Sequence, residues 1–116
     1  MVRYVPEQGD IVWLNFDPQK GSEIKKTRPA LVISSKKYNS KTNLAIFMPI
    51  TSQIKDYPFE LEVSINGKVG AILCDQVRSL DWKVRKADKI TKLSDELLEA
   101  AVAKLNLLIS CNTYKF

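Results

Sequence analysis

Asn66-Gly67, set between two alternating apolar runs, constrains the fold of this chain more than any other feature. A two-residue type I′ turn needs positive φ at both central positions, which Asn and Gly tolerate best. The pair therefore predicts a tight antiparallel hairpin with strands over 59–65 and 68–74. Continued outward, that ladder brings Tyr57 beside Gln76, although Pro58 lies in its path. A chain committed to this element is built mainly from antiparallel β-structure.

The remaining segments fit such a sheet. Residues 9–16 alternate and are rich in β-formers, which predicts a first strand ended by Asp17-Pro18. A polar loop follows to Thr27. Arg28 precedes Pro29, and the proline ring pushes it to an extended conformation. Strands are predicted at 29–34 and 44–50, with a polar connection at 35–43 that has room for a helical turn. If these two strands pair as a hairpin closing Ser35 near Leu44, Arg28 falls opposite Thr51. Directly opposed residues on one face lie about 4.5–5.5 Å apart at Cβ. Short strands at 76–80 and 89–93 flank a basic turn, and many short strands with close turns predict a small, strongly bent sheet or barrel. Ser94 is a natural N-cap, with Asp95 and Glu96 in the first turn where the helix dipole favours them. Leu97, Leu98, Ala101, Val102, Leu105, Leu108 and Ile109 then share one helical face, which is expected to pack on the sheet.

The length of 116 residues suits one domain spanning 1–116. With 45% hydrophobic and 27% charged residues, the composition is that of a soluble globular protein. The longest apolar run, 45–50, is far too short for a membrane span. The start, MVRYVPEQGD, lacks the apolar core of a signal peptide, so a cytoplasmic location is expected. Cys74 and Cys111 are the only cysteines and read as free thiols. The chain has no histidine, so a structural zinc site is not expected and acid–base chemistry must proceed without imidazole.

The net charge of +5 favours an anionic partner. Basic residues gather in two clusters: Lys20, Lys25, Lys26, Arg28, Lys36, Lys37 and Lys41, then Lys83, Arg85, Lys86, Lys89 and Lys92. The stretch KGSEIKKTRPA, 20–30, combines a flexible glycine, Glu23 and several lysines, and ends on Arg28 locked against a proline. Opening into an apolar strand, it suits a site that handles a phosphate anion. Thr51-Ser52 follows the next apolar run and returns beside Arg28 by turn geometry.

In order along the chain, GDIVWLNFDPQKGSE, TRPALVIS, PITSQ, KDYPFE and DQVRSLDW resemble the MazF/PemK family of toxin endoribonucleases, the mRNA interferases. The resemblance implies a small SH3-like barrel with a packed C-terminal helix, of the shape MazF and CcdB toxins share, assembled as a homodimer. It implies sequence-specific cutting of single-stranded RNA without cofactor or metal, and inhibition by a cognate antitoxin with an acidic C-terminal tail. The family's catalytic arginine falls on Arg28, its threonine on Thr51, and a glutamate implicated in some members on Glu23. The substrate-contacting loop corresponds to Asp17 through Thr27, with Asp17, Lys20, Gly21, Ser22, Lys25 and Lys26 expected on the RNA, and the glutamine of DQV to Gln76. Ile24-Lys25-Lys26-Thr27 departs from the small, glycine-containing loop common before that arginine. Ser52, Gln53, Tyr57 and Arg85 complete the set expected to touch RNA.

Among the aromatic residues that could stack on bases (Trp13, Phe16 and Trp82), Phe16 at the mouth of the loop is the expected stacker, and Trp13 is expected in the core. Read without the family, Arg28 is a strand-edge arginine, Thr51 an ordinary β-former, and Glu23 a partner for Lys25 or Lys26. Two other functions fit the same barrel: a CcdB-like poison of DNA gyrase, and an RNA-binding barrel that does not cut.

Overall fold

A computed structural model of the chain describes residues 4–16 and 27–111. The elements in chain order are β1 (Asp10–Asn15), β2 (Thr27–Val32), α1 (Lys36–Thr42), β3 (Leu44–Thr51), β4 (Glu60–Ile65), β5 (Lys68–Leu73), β6 (Arg78–Asp81), β7 (Asp88–Lys92) and α2 (Asp95–Ile109). The expected hairpin is β4–β5, paired from Glu60↔Leu73 to Ile65↔Lys68. Asn66 and Gly67 turn it with φ of 51° and 84°, as a type I′ turn requires.

The sheet runs β4-β5-β3-β2-β1-β7, with β6 also on β3. β3 is its trunk. One edge pairs with β2 through Ala30↔Pro49, Leu31↔Met48 and Val32↔Phe47, which is the register expected from the sequence. The other edge carries β6 along Leu44 to Phe47 and β5 at Ile50 and Thr51. The strands around the basic turn therefore form as expected but do not pair with each other: β6 joins β3, and β7 joins β1. The result is a curled, half-closed antiparallel barrel with a C-terminal helix.

Strand alternation divides the apolar residues between two faces. Ile11, Leu31, Met48, Ile50, Val63 and Ile72 form the larger core, on which Leu97, Leu98, Ala101 and Leu105 of α2 pack. Val12, Leu14, Ala30, Val32, Ala45, Phe47, Leu80 and Trp82 form the second. Ser94 caps α2 as expected, its hydroxyl accepting from Leu97 N–H at 3.3 Å. The apolar stripe of this helix does not stay on the core to its end, however. Leu108 and Ile109 are 52% and 60% exposed, and the helix's contact with the larger core runs only as far as Leu105.

Trp82 is buried, and its indole N–H donates to the Asn39 carbonyl at 2.9 Å, so it cannot stack on a base. Trp13 departs in the opposite direction: it lies on the larger core's face but is 45% exposed, since that core ends at Ile11. The described helices include none long and apolar enough to cross a membrane.

Asn39, fully buried on α1, ties distant segments together. Its amide nitrogen donates to the Pro6 and Ser34 carbonyls at 2.8 and 3.2 Å, and its oxygen accepts from the Ser34 hydroxyl at 2.6 Å. That hydroxyl in turn accepts from Ile46 N–H at 2.8 Å. Removing a buried partner leaves the remaining groups desolvated and unpaired. Asn39→Ala is therefore expected to lower the unfolding free energy in urea by about 1–3 kcal/mol, with an unchanged m-value.

Candidate active site

Pro29 lies where the site opens. It has no N–H to donate, and the alternation set by Ile33 N–H on the Ile46 carbonyl points its nitrogen at β3; the β2–β3 pairing ends at Ala30↔Pro49. Beyond it β3 continues against β5, while Arg28 stays paired with Leu14 of β1. The two strands separate there into a cavity of about 600 Å³ whose wall includes Arg28, Thr51, Ser52 and Gln53. Arg28 and Thr51 are thus brought together as the sequence suggested, across a cavity rather than across a continuous ladder.

Their surroundings set their chemistry. Arg28 is exposed, so its guanidinium remains available to an incoming anion. The Thr51 hydroxyl oxygen accepts the Gln53 N–H at 3.0 Å. Among the described residues no hydrogen bond uses the Thr51 proton, so the hydroxyl can donate to an incoming acceptor. Gly70 shapes the wall behind it: a Cβ at this position would come within 2.9 Å of the Thr51 carbonyl oxygen.

Phe16 follows the last residue of β1, which pairs with Thr27 next to Arg28. Alternation and register place Phe16, Arg28, Arg78 and Thr51 on one face of the sheet. The Arg78 guanidinium lies 5.5 Å from the Phe16 ring centroid. Arg85 donates from Nη1 to the Phe16 carbonyl at 2.8 Å and to that of Asn15 at 3.4 Å. Part of its guanidinium therefore holds the end of β1.

Tyr57 and Gln76 meet at the open end of the β4–β5 ladder, as its extension predicts. The Tyr57 hydroxyl donates to Asp75 Oδ1 at 2.6 Å, and Gln76 lies close enough to act on the phenol's ionisation. The bond to Asp75 raises the phenol's pKa above its usual range. Neither residue lines the Arg28 cavity; Tyr57 lines a smaller one with Glu60 and Lys104. Asp17, Lys20, Gly21, Ser22, Glu23, Lys25 and Lys26 lie outside the described residues.

Sequence reasoning missed the contributions of Trp13, Lys68 and Ile90 to the cavity wall. Trp13 pairs with Pro29, one residue from Arg28. Pairing the first predicted strand with the second would have revealed its place.

A curled antiparallel half-barrel with a C-terminal helix, and a rim cavity walled by an exposed arginine and a threonine, defines the class of small β-protein at hand. Residues 7–109 match the PemK-like, MazF-like toxins of type II toxin-antitoxin systems, and the chain belongs to that family. It is 46% identical over 107 residues to the endoribonuclease toxin MazF of Escherichia coli (strain K12), covering 92% of this chain and 96% of that protein. Endoribonuclease EndoA of Bacillus subtilis (strain 168) is 32% identical over 112 residues, 91% of this chain and 96% of the relative. The crystal structure of MazF from Deinococcus radiodurans superposes with a TM-score of 0.83 at 42% identity, covering 94% of this chain and 100% of that one. A MazE–MazF complex from the same organism matches with a TM-score of 0.83 at 38% identity, covering 95% and 100%.

The close approach at Gly70 gives a direct test of the cavity wall. Gly70→Ala forces the Thr51 backbone to shift and is expected to cost about 1–3 kcal/mol of stability, as overpacking does, measurable by chemical denaturation.

Proposed function

We propose that the chain cuts single-stranded messenger RNA at the Arg28–Thr51 cavity, using the substrate's own 2′-hydroxyl as nucleophile. The chain is a MazF-like endoribonuclease toxin of a toxin–antitoxin system. The observation that carries the site assignment is the shared cavity wall of Arg28 and Thr51, with the Thr51 proton free to donate.

In this reaction the 2′-oxygen attacks phosphorus and the bond from phosphorus to the 5′-oxygen breaks. The 2′-hydroxyl proton leaves to a base, and the departing 5′-oxygen gains a proton. The products are a 2′,3′-cyclic phosphate, or the 3′-phosphate formed from it by water, and a 5′-hydroxyl. Charge builds on the non-bridging oxygens, where Arg28 supplies a permanent cation in a planar fork that fits two of them. Thr51 donates to a phosphoryl oxygen and orients the 2′-hydroxyl. With no histidine in the chain, we assign proton acceptance to Glu23 or a water it orients. Phe16 stacks on a base, with Ser52, Gln53, Tyr57, Gln76 and Arg85 around the strand. Asp17, Lys20, Gly21, Ser22, Lys25 and Lys26 complete the RNA-contacting set. No metal or cofactor enters these steps.

The same reading makes 1–116 one toxin domain that acts as a homodimer in the cytoplasm. A cognate antitoxin with an acidic C-terminal tail inhibits it by competing with RNA for basic side chains. The D. radiodurans MazE–MazF complexes support the antitoxin as partner.

A donor aimed at developing charge is typically worth about 2.7–4 kcal/mol. Arg28→Ala should therefore slow cleavage about 10²–10³-fold, read by primer extension on a long transcript. The nearly isosteric Thr51→Val removes the hydroxyl alone and should also slow cutting with little change in fold. Full-speed cutting by the doubly substituted protein would sink the site assignment, and RNA bound but never cut would favour a binding barrel. For the base, Glu23→Gln should retain little activity; retention of most of it would make Glu23 a recognition residue.

A further inference from the structure

The two basic clusters separated in sequence meet in part in the structure, at a place remote from the cavity. Lys36, Lys37 and Lys41 stand on α1, a helix with no acidic residue. The turn after β6 presents Lys83 and Lys86. The helix and the turn are held together through Trp82, whose backbone N–H donates to the Asn43 carbonyl at 3.3 Å and whose indole N–H donates to that of Asn39 at 2.9 Å. All five lysines are exposed. Among the described residues none of them pairs with a carboxylate. The adjoining acid, Asp81, is occupied as a turn cap, accepting from Lys83 and Val84 N–H at 2.9 Å each.

This patch sits at the opposite end of β3 from the site. α1 leads into Leu44, whereas Thr51 ends the strand, a separation of about 23 Å at roughly 3.3 Å per residue. The space between is also cationic. Arg78 pairs with Phe47, partway along β3, and reaches over the Phe16 ring, and Arg85 fastens the same segment.

The geometry points to a second, sequence-blind anchoring surface formed by Lys36, Lys37, Lys41, Lys83 and Lys86, which holds the flanking phosphates of the RNA strand being cut. The identity of that strand rests on reading the Arg28–Thr51 cavity as the cutting site; the polyanion chemistry of the patch does not. Exposed lysines without acidic partners attract phosphates through counterion release and choose no base. A strand gripped at both places gains effective concentration at the cavity without any new contact there.

The test uses 2′-O-methyl RNA, which cannot be cut, in two lengths: about 4 nucleotides, covering the cavity alone, and about 16, reaching the patch. Binding to the full chain is followed by fluorescence anisotropy across a salt series. Substituting the five lysines by glutamine should weaken the long strand about tenfold or more at about 50 mM salt. It should also reduce the salt slope by roughly 0.7 for each lysine that meets a phosphate. The short strand should bind as before.

The α1 set (Lys36→Gln, Lys37→Gln, Lys41→Gln) and the turn set (Lys83→Gln, Lys86→Gln) should each lose part of the slope. These smaller variants provide the readout if the full set fails to fold. Unchanged binding of the long strand, or equal weakening of both lengths, overturns the proposal. So does loss of poly-glutamate binding with RNA binding intact, which would assign the patch to an acidic protein. Cutting of unmodified RNA by the wild-type chain is scored separately. A chain that anchors long RNA through these lysines but never cuts it removes the nuclease reading and leaves the anchor.

Discussion

The division of β3 among three partners governs the rest of the molecule. β2 takes one edge, while β6 and β5 take successive halves of the other. A strand paired on both edges has its backbone satisfied from within the sheet. Its Ala45, Phe47, Met48 and Ile50 side chains can then be buried on both faces. The handover from β6 to β5 bends the sheet around this strand. That bend encloses the larger core, which α2 covers, and leaves the smaller one on the other face.

The same strand explains why the cavity lies at the rim. Pro29 has no N–H where alternation from the Ile33–Ile46 bond points its nitrogen at β3, so β2 lacks the next ladder donor on the way to Thr51. Arg28 remains attached to β1 through Leu14, and Thr51 remains attached to β5 through Ala71. Each of these two side chains is therefore held by a neighbour on its far side, with the cavity between them. Gly70 lets β5 approach Thr51 closely from behind. A site positioned by strand pairing retains its geometry better than one carried entirely by loops.

Much of this was legible in the sequence because strand register is a local code. Asn66-Gly67 set one hairpin and closure near Ser35 and Leu44 set the register of another, so counting placed Arg28 toward Thr51, although the ladder itself stops at Ala30↔Pro49. What counting could not supply was long-range partnership. The strands at 76–80 and 89–93 flank one turn yet join different neighbours, a choice made by burial of Leu80 and the edge of β1 rather than by the turn. Trp13, expected in the core, is exposed for the same reason, and Trp82, open to a stacking role on sequence alone, is buried. Both are large aromatics in β-rich segments, and their exposure depends on where each core ends. Leu108 and Ile109 continue a helical period beyond Leu105, where the helix's contact with the larger core ends.

The distribution of charge follows from this architecture. Basic residues of such a chain cannot enter either core, and β3 separates them by its length into a rim group at Arg28 and an end group near α1. Arg78 and Arg85 lie between, each engaged with the Phe16 segment. Among the described residues Lys68 joins Arg28 at the cavity wall, while the lysines of α1 gather at the far end of β3. The electrostatic asymmetry of the barrel thus arises from where its helix and turns happen to close the sheet.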